Sequence, residues 1–147
     1  MKFVGGLPET RCGYGSTLAA TKDIRLVLPR LFQHLGVTTI LDAPCGDFNW
    51  MAHTDLTGLD YIGIELDEEN VETARKRRSV ENFAPVSKTI IHADLIRDDL
   101  PVTDLTITRE FLQHLPTATC WRALASFKSK WLLASSHTNA SNDDIKT

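Results

Sequence analysis

Acidic side chains follow four successive segments that have the character of buried strands, each at the point where the strand ends. They are Asp42 after TTIL, Glu65 after DYIGI, Asp94 after KTIIHA and Glu110 after DLTITR. Arg109 adds one cation beside the last of them. Carboxylates in such positions accept hydrogen bonds from hydroxyl groups and attract cations. Together they predict a polar ligand that carries positive charge and hydroxyl groups.

The turn after the first predicted strand, DAPCGDF, contains a single glycine, Gly46. A dinucleotide site uses G-x-G-x-x-G to bring backbone amides close to a pyrophosphate, and a P-loop uses G-x-x-x-x-G-K-[ST]. Neither motif is present here, and Asp47 would repel a phosphate group. The turn therefore argues against a ligand that is held through its phosphates.

S-adenosylmethionine has the chemistry that these residues predict: a sulfonium, an ammonium, one carboxylate, a ribose diol and an adenine. Glu65 follows Gly46 by about 20 residues, the offset of the ribose-binding acid in the nucleotide fingerprint. A carboxylate at that position can accept both ribose hydroxyls. Asp94 is in a position to accept from the adenine amino group.

The elements that must position these residues alternate between strand and helix. Predicted strands are TTILDA, DYIGIEL, KTIIHADL, DLTITREF and KWLLASSHT. Predicted helices are GSTLAATKDIRLVLPRLFQHLG, FNWMAHTDL, DEENVETARKRRSV and TATCWRALASFKSK. We expect Gly36 to end the first helix and Pro29 to kink or split it. The alternation predicts an α/β fold: a Rossmann-like, doubly wound, mainly parallel sheet of about five strands, with helices on both faces and the ligand crevice at the carboxyl ends of the strands.

Length and composition place the chain among single-domain globular proteins. The 147 residues divide into a glycine-rich lead-in at 1–15, a ligand-binding domain at 16–138 and a polar tail at 139–147. A net charge of -3 gives no electrostatic reason to expect nucleic acid as a partner. No apolar run is long enough for a signal peptide or a membrane span, and three widely spaced cysteines suggest reduced thiols. We therefore expect a cytoplasmic protein without a membrane partner.

Four segments in this order resemble the class I S-adenosylmethionine-dependent methyltransferases: ILDAPCGDFNWM, YIGIELDEENVETAR, IIHADLIRDDLPVTDLTITREFLQHLP and WLLASS. They are most similar to a bacterial subgroup whose first loop reads D-A-P-C-G-D-F. In the wider family this loop reads D/E-x-G-x-G-x-G, and here Pro44 and Phe48 replace its outer glycines. The resemblance implies the family's core without its final antiparallel hairpin, so that the chain is C-terminally short.

The resemblance also implies a role for individual residues. Asp42 would organise the loop near the methionine ammonium group, Glu65 would bind the ribose, and Arg109 would lie beside the methionine end. The cofactor-binding residues are then expected to be Asp42, Ala43, Pro44, Cys45, Gly46, Glu65, Leu66, Asp94, Leu95 and Arg109. The backbone of the first loop would pass under the methionine portion, and Asp94 and Leu95 would border the adenine.

Some of these residues have a structural alternative. Asp42 and Glu65 could cap helices or form surface salt bridges, Asp94 could be a turn former, and Arg109 could pair with Glu110 or Asp104. A Pro-Cys pair is the nucleophile signature of cytosine-C5 methyltransferases. There it follows the fourth strand, so Cys45 is expected to be a buried, unreactive thiol. The basic run RKRR is explained by the dipole of the helix that it ends, and the three tryptophans are expected in the core or the crevice wall.

Two candidate catalytic residues, Glu110 and His114, are four positions apart in REFLQHL and would share a helix face. His114 is the first choice of general base if the acceptor is a hydroxyl group. The alternative is a helix with one polar edge, because methyl transfer depends mainly on positioning the nucleophile in line with the sulfonium. No metal is expected.

The predicted function is methyl transfer from S-adenosylmethionine to a small-molecule or glycan acceptor. One alternative is a module that binds S-adenosylmethionine without turnover because the acceptor region is absent, and a second is another nucleotide-binding α/β protein. The glycines and Tyr14 before Ser16 form either a flap over the cofactor or an irregular terminus. The fifth strand would be an exposed edge, through which a homodimer could form.

Overall fold

The protein is described by a computed structural model over residues 9–135. Its strands are β1 Thr39–Asp42, β2 Asp60–Glu65, β3 Ser87–His92, β4 Val102–Thr108 and β5 Lys128–Ala134. They form one sheet in the order β3-β2-β1-β4-β5, and every pairing in it is parallel. The predicted doubly wound, parallel α/β fold is confirmed.

Three helices connect or precede the strands: α1 Lys22–Leu35, α2 Glu68–Lys76 and α3 Thr117–Ser126. The helix predicted for FNWMAHTDL is wrong, because only a single 3₁₀ turn, Met51–His53, forms there. Phe48, the first residue of that segment, has a φ of 60°. A bulky residue in the left-handed region cannot continue a right-handed helix, so the segment stays irregular.

Alternating strand residues separate two hydrophobic clusters on opposite faces of the sheet. The larger cluster packs α1 and α2 onto one face, and it includes Leu28 and Phe32 from α1 and Val71 from α2. The smaller cluster lies around Leu41 on the other face, where Phe127 at the end of α3 packs against it. Helices therefore cover both faces, as the sequence predicts.

Pro29 lies inside α1 without dividing it, so the predicted split is wrong. Proline removes one hydrogen-bond donor from a helix interior, at a cost of about 3 kcal/mol. Leu28 and Phe32 on either side of it are 1% and 3% exposed, and their burial holds the helix together across the proline. Gly36 ends α1 in the left-handed conformation, as predicted, with its N–H bonded to the last-turn carbonyls.

The tryptophans differ from one another in exposure. Trp50 is buried, as predicted, whereas Trp121 on α3 and Trp131 on β5 are 67% and 40% exposed, so the prediction is wrong for those two. β5 pairs only with β4 among the described residues and forms an edge of the sheet. Leu133 on β5 packs against the larger hydrophobic cluster, whereas Trp131 and Leu132 are exposed.

Some sequence predictions fall beyond the described residues. The first eight residues of the lead-in, the continuation of the last strand to Thr138 and the polar tail at 139–147 lie outside the range 9–135. Within that range, no helix combines the length and apolar character needed to cross a bilayer.

Candidate ligand-binding site

A cleft opens at the carboxyl ends of β1, β2 and β4, where the strand order reverses direction. The chain runs from β1 outward to β3 and then returns to the other side of β1 as β4, so this point is the topological switch point of the sheet. The cleft has a volume of about 120 Å³. It is lined by Cys12, Ser16, Asp42, Pro44, Cys45, Gly46, Trp50, Glu65, Arg109 and Glu110.

Asp42 is the last residue of β1 and is 1% exposed. The hydroxyl of Tyr61 on β2 donates to its Oδ2 atom at 2.7 Å. Burial raises the pKa of Asp42 to about 7, against the lowering effects of the Tyr61 hydrogen bond and of Arg109. The cleft thus has a carboxyl group whose charge changes near neutral pH.

Glu65 ends β2 and is 8% exposed. Its Oε2 accepts the N–H of Gly46 at 2.9 Å, and its Oε1 accepts the N–H groups of Leu66 and Asp67, both at 2.9 Å. A carboxylate has about four lone-pair sites, so three backbone partners leave about one site on Oε2. Glu65 therefore holds the first loop against β2 and retains the capacity to accept one more hydroxyl group.

The first loop is tied to the strands on both sides of it. The N–H of Ala43 bonds to the carbonyl of Ile107 on β4, and the N–H of Cys45 bonds to the carbonyl of Ile64 on β2. Gly46 has a φ of 57°, and a Cβ added there would lie 2.6 Å from Sγ of Cys12. The single glycine of this turn is thus required by conformation and by a close approach. Cys45 is buried, and burial raises its pKa, in keeping with the predicted unreactive thiol.

Arg109 and Glu110 follow β4 and close the cleft on the side opposite Glu65. The Arg109 guanidinium donates to the carbonyl of Gly15 at 2.7 Å and lies 5.7 Å from the ring centroid of Trp50. Glu110 has a φ of 53° and its N–H donates to Ser135 Oγ. A non-glycine residue held in the left-handed region costs on the order of 1–3 kcal/mol, and such residues cluster at functional sites.

Residues 9–18, which we call the strap, line the cleft through Cys12 and Ser16, and Asp47 anchors them. Asp47 is 1% exposed and accepts hydrogen bonds from the Thr10 hydroxyl and the Arg11 N–H, both at 3.0 Å. Glu9 Oε1 accepts from the N–H of Leu18 and from Asn49 Nδ2. The acid that the sequence places in the first turn therefore binds the chain's own N-terminal segment.

Further ion pairs join the strap to α2. Arg77, which follows α2, has its guanidinium 3.6 Å from Asp47 and contacts Asn49 and the carbonyl of Glu9. Arg11 pairs with Glu69 at the start of α2. The helix-dipole explanation of RKRR is thus incomplete, because Arg77 also binds the first loop. The sequence predicts either a flap or an irregular terminus for part of this segment, but not that Asp47 anchors it to the first loop.

Four predicted cofactor residues do not line the cleft: Ala43, Leu66, Asp94 and Leu95. Ala43 is fully buried in the smaller hydrophobic cluster. Asp94 accepts the N–H of Ile96 and pairs with Arg97 at 3.6 Å, so it forms the turn that was its structural alternative. Leu95 is buried in the smaller hydrophobic cluster. Leu66, directly after Glu65, is 61% exposed and leaves an apolar surface beside the cleft.

The expected common helix face of Glu110 and His114 is wrong. The segment after β4 forms only a 3₁₀ turn, Leu112–His114, because Glu110 is in the left-handed conformation. Glu110 lines the cleft, whereas His114 is exposed and is not part of its lining.

A larger cavity, of about 460 Å³, lies at the amino ends of β1 and β2, between the end of α1 and residues 55–59. It is lined by Pro29, Phe32, Gln33, Gly36, Val37, Thr38, Asp55, Thr57, Gly58 and Leu59. Asp55 is its only charged side chain. The carboxyl-end cleft is smaller, but it combines three carboxyl groups with a guanidinium, so it is the better candidate for chemistry.

Comparison with known proteins identifies the fold. No family model and no curated protein matches the sequence. Among solved structures, magnesium protoporphyrin IX methyltransferase from Synechocystis with bound SAH is similar over 76% of this chain and 50% of its own, at 16% identity and a TM-score of 0.59. A putative O-methyltransferase from Nostoc punctiforme is similar over 78% of this chain and 36% of its own, at 16% identity and a TM-score of 0.61.

The plantazolicin methyltransferase in complex with SAH is similar over 76% of this chain and 44% of its own, at 16% identity and a TM-score of 0.58. The chain thus spans half or less of the length of these three structures. Residues 9–135 have the Rossmann-like fold of these class I methyltransferases.

Proposed function

We propose that the chain binds S-adenosylmethionine in the cleft at the carboxyl ends of β1, β2 and β4 and forms the cofactor-binding core of a methyltransferase. The observation that carries this proposal is the placement of Asp42 and Glu65 on neighbouring strand ends, with Arg109 opposite them in the same cleft. The methyltransferase fold and the SAM and SAH bound in solved structures of that fold support the choice of cofactor.

The residues of the cleft match the cofactor by charge. Asp42 would face the ammonium and sulfonium groups, Arg109 the methionine carboxylate, and the remaining lone pair of Glu65 one ribose hydroxyl. When bound, S-adenosylmethionine would supply an electrophilic methyl group for an acceptor oxygen or nitrogen, with S-adenosylhomocysteine as the leaving group and the acceptor's proton passing to a base or to water.

The cofactor also requires space beyond the enclosed cleft. Pockets that bury a ligand of this size commonly have volumes of about 300–1,000 Å³, whereas the cleft has about 120 Å³. We infer that the adenine extends past Glu65 onto the exposed side chain of Leu66, and that the strap moves outward when the methionine portion enters. The flap that the sequence predicts around Tyr14 would then be the strap, residues 9–18.

The acceptor is proposed to be a small molecule or a glycan that approaches from the side of Glu110. The Glu110 carboxylate lines the cleft, accepts from Gln113 Nε2 and lies next to Gly15. It is therefore better placed than the exposed His114 to receive the acceptor's proton. A catalytic role for His114 would require an acceptor that extends outside the cleft.

We propose a cytoplasmic location, which the three free cysteines support.

Binding measured by isothermal titration calorimetry with S-adenosylhomocysteine tests the proposal. Leu66→Ala should weaken binding by roughly tenfold, since loss of apolar contact with a ligand ring costs on the order of 1–2 kcal/mol. Leu26→Ala is a matched control: Leu26 is 66% exposed on α1 and lies outside the cleft, so this variant should bind like the wild type. Equal affinities of all three proteins would contradict the adenine placement.

Two further measurements separate the alternatives. Thermal stabilisation by NAD but not by S-adenosylhomocysteine would identify another nucleotide-binding protein and overturn the proposal. Release of S-adenosylhomocysteine with cell extract as the acceptor pool would show turnover. Binding without any release would leave the alternative of a cofactor-binding module that lacks its acceptor region.

A further inference from the structure

Tyr61 is joined to the cleft by the hydrogen bond that its hydroxyl donates to Asp42. It is fully buried on β2, and its ring packs edge-on against Phe48 with the centroids 4.9 Å apart. In the sheet register Tyr61 pairs with Ile40, and Gly63 pairs with Asp42. Tyr61 therefore lies two residues before the partner of Asp42, on the same face of the sheet, and its side chain spans that distance to reach Asp42. Side-chain packing on every side thus fixes the direction of its hydroxyl group.

Gly63, which pairs with Asp42 in the sheet, leaves the space that Cys45 of the first loop occupies. A Cβ at Gly63 would lie 2.8 Å from Sγ of Cys45 and 2.9 Å from Cδ1 of Ile90. Because Gly63 is directly opposite Asp42, a larger residue would push Cys45 and the first loop away from β2. Gly63 thus permits the close packing of Cys45 on β2 beside Asp42.

The charged and titratable groups around Asp42 come from four segments. β2 contributes Tyr61 and Glu65, the end of β4 contributes Arg109 and Glu110, the first loop contributes Cys45, and the strap contributes Cys12. Glu65 raises the pKa of Asp42, while Tyr61 and Arg109 lower it. Burial raises the pKa of both thiols, so the cysteines stay protonated near neutral pH.

We propose that Tyr61 is a positioning residue of the cofactor site: its hydroxyl holds one oxygen of Asp42, directs the carboxyl group at the cleft, and couples the binding of a cationic ligand to the loss of the Asp42 proton. This inference rests on the proposed function, and it adds to that function a dependence of affinity on pH.

The coupling follows from proton linkage. With the pKa of Asp42 at about 7, the carboxyl group of the free protein is mainly protonated below that pH. A bound ammonium group favours the carboxylate, so binding below pH 7 must expel the proton, and the affinity then falls by up to tenfold per pH unit. Loss of the Tyr61 hydroxyl removes a hydrogen bond to the charged form, which moves the midpoint of this dependence to higher pH.

Calorimetric titration of the whole chain with S-adenosylhomocysteine from pH 5.5 to pH 8.5 tests the inference, in buffers of low and of high ionisation enthalpy. The wild type should lose affinity below about pH 7 and release up to one proton per ligand. Tyr61→Phe, which keeps the ring, should reach its plateau affinity only at a higher pH. Asp42→Asn should abolish proton release, and any pH dependence that it retains belongs to the ligand or to other groups.

Two kinds of result would contradict the inference, and they can be told apart. A wild-type affinity that is independent of pH, or identical pH profiles of the wild type and Tyr61→Phe, would overturn the role of Tyr61 and leave the proposed function intact. Failure of the wild type to bind at any pH would overturn both. If Tyr61→Phe does not fold, proton release by the wild type compared with Asp42→Asn still decides whether Asp42 is the coupled group.

Discussion

At the scale of single residues, the first loop contains two buried acids with different partners. Asp42 faces the cleft beside Tyr61, whereas Asp47 faces Thr10 and Arg11 of the strap. The position of Asp42 could be predicted because residues that follow central strands of a parallel sheet meet at the crevice. The partners of Asp47 could not, because they lie 36 and 37 residues earlier in the chain and no periodicity connects them to the loop.

Because the pKa of Asp42 is raised in the fold, the stability of the protein should decline as the pH rises. Between the pKa of an unfolded aspartate, about 4, and the value of about 7 in the fold, the folded state binds the extra proton, so the free energy of unfolding falls as the pH rises. Asp42→Asn removes this effect. The free energy of unfolding of Asp42→Asn, minus that of the wild type, should therefore be roughly 2–3 kcal/mol larger at pH 8 than at pH 5.

Urea denaturation of both proteins at the two pH values measures this difference. Asp104→Asn is the control, since Asp104 is half-buried at the far end of the sheet and hydrogen bonds from Thr38 and Thr39 lower its pKa. A relative stability of Asp42→Asn that does not change with pH would show that the Asp42 carboxyl group is ionised throughout this range.

Phe48 stands where the methyltransferase loop that DAPCGDF resembles has a glycine, and the structure shows what its side chain contributes. It is fully buried, packs on Tyr61 and has Lys88 Nζ 4.6 Å from its ring centroid. Phe48→Ala should lower the free energy of unfolding by about 3–5 kcal/mol through the lost burial and the cavity that remains. A cost below about 1 kcal/mol in a denaturant titration would mean that the loop does not depend on this anchor.

At the scale of elements, the five strands were predictable and the connections at their ends were not. Strands such as YIGIE and LTIT are apolar and β-branched, and they are bounded by turn residues. The segments after β1 and β4 depart from the predicted helices because Phe48 and Glu110 have a positive φ. This conformation is imposed by tertiary contacts, which local propensity does not report.

The strap should loosen when its anchor is removed. Asp47→Asn eliminates the charge that faces Arg77 and weakens the hydrogen bonds to Thr10 and Arg11. Hydrogen–deuterium exchange followed by mass spectrometry should then show faster exchange over residues 10–18 and unchanged exchange in β1. Asp104→Asn, which also weakens side-chain bonds to backbone amides, serves as the control because it should leave the strap unaffected. Unchanged exchange of the strap in Asp47→Asn would show that other contacts hold it.

At the scale of the whole molecule, the parallel sheet has an exposed edge at β5. Trp131 and Leu132 on this strand are 40% and 45% exposed, and Val102 at the start of the neighbouring β4 is 78% exposed. Sequence predicted the edge from the count of strands, but not which tryptophans it exposes, because helix and strand periodicity do not reveal what covers an outer strand.

An exposed apolar edge predicts self-association. Sedimentation velocity should show the mass of the wild type rising from monomer towards dimer as its concentration increases. Trp131→Lys should shift this equilibrium to the monomer, while Leu26→Lys on the exposed side of α1 should not. Identical sedimentation of all three proteins would exclude β5 as the contact.

The account depends most on the claim that the cleft beside Asp42 and Glu65 is the binding site of S-adenosylmethionine. A crystal structure of the chain grown with S-adenosylhomocysteine tests this claim most directly. We predict a ribose hydroxyl within hydrogen-bond distance of Glu65 Oε2, the adenine on Leu66, and the strap displaced from its present position. An empty cleft, or the compound bound elsewhere with Glu65 still engaged only by backbone amides, would contradict the account.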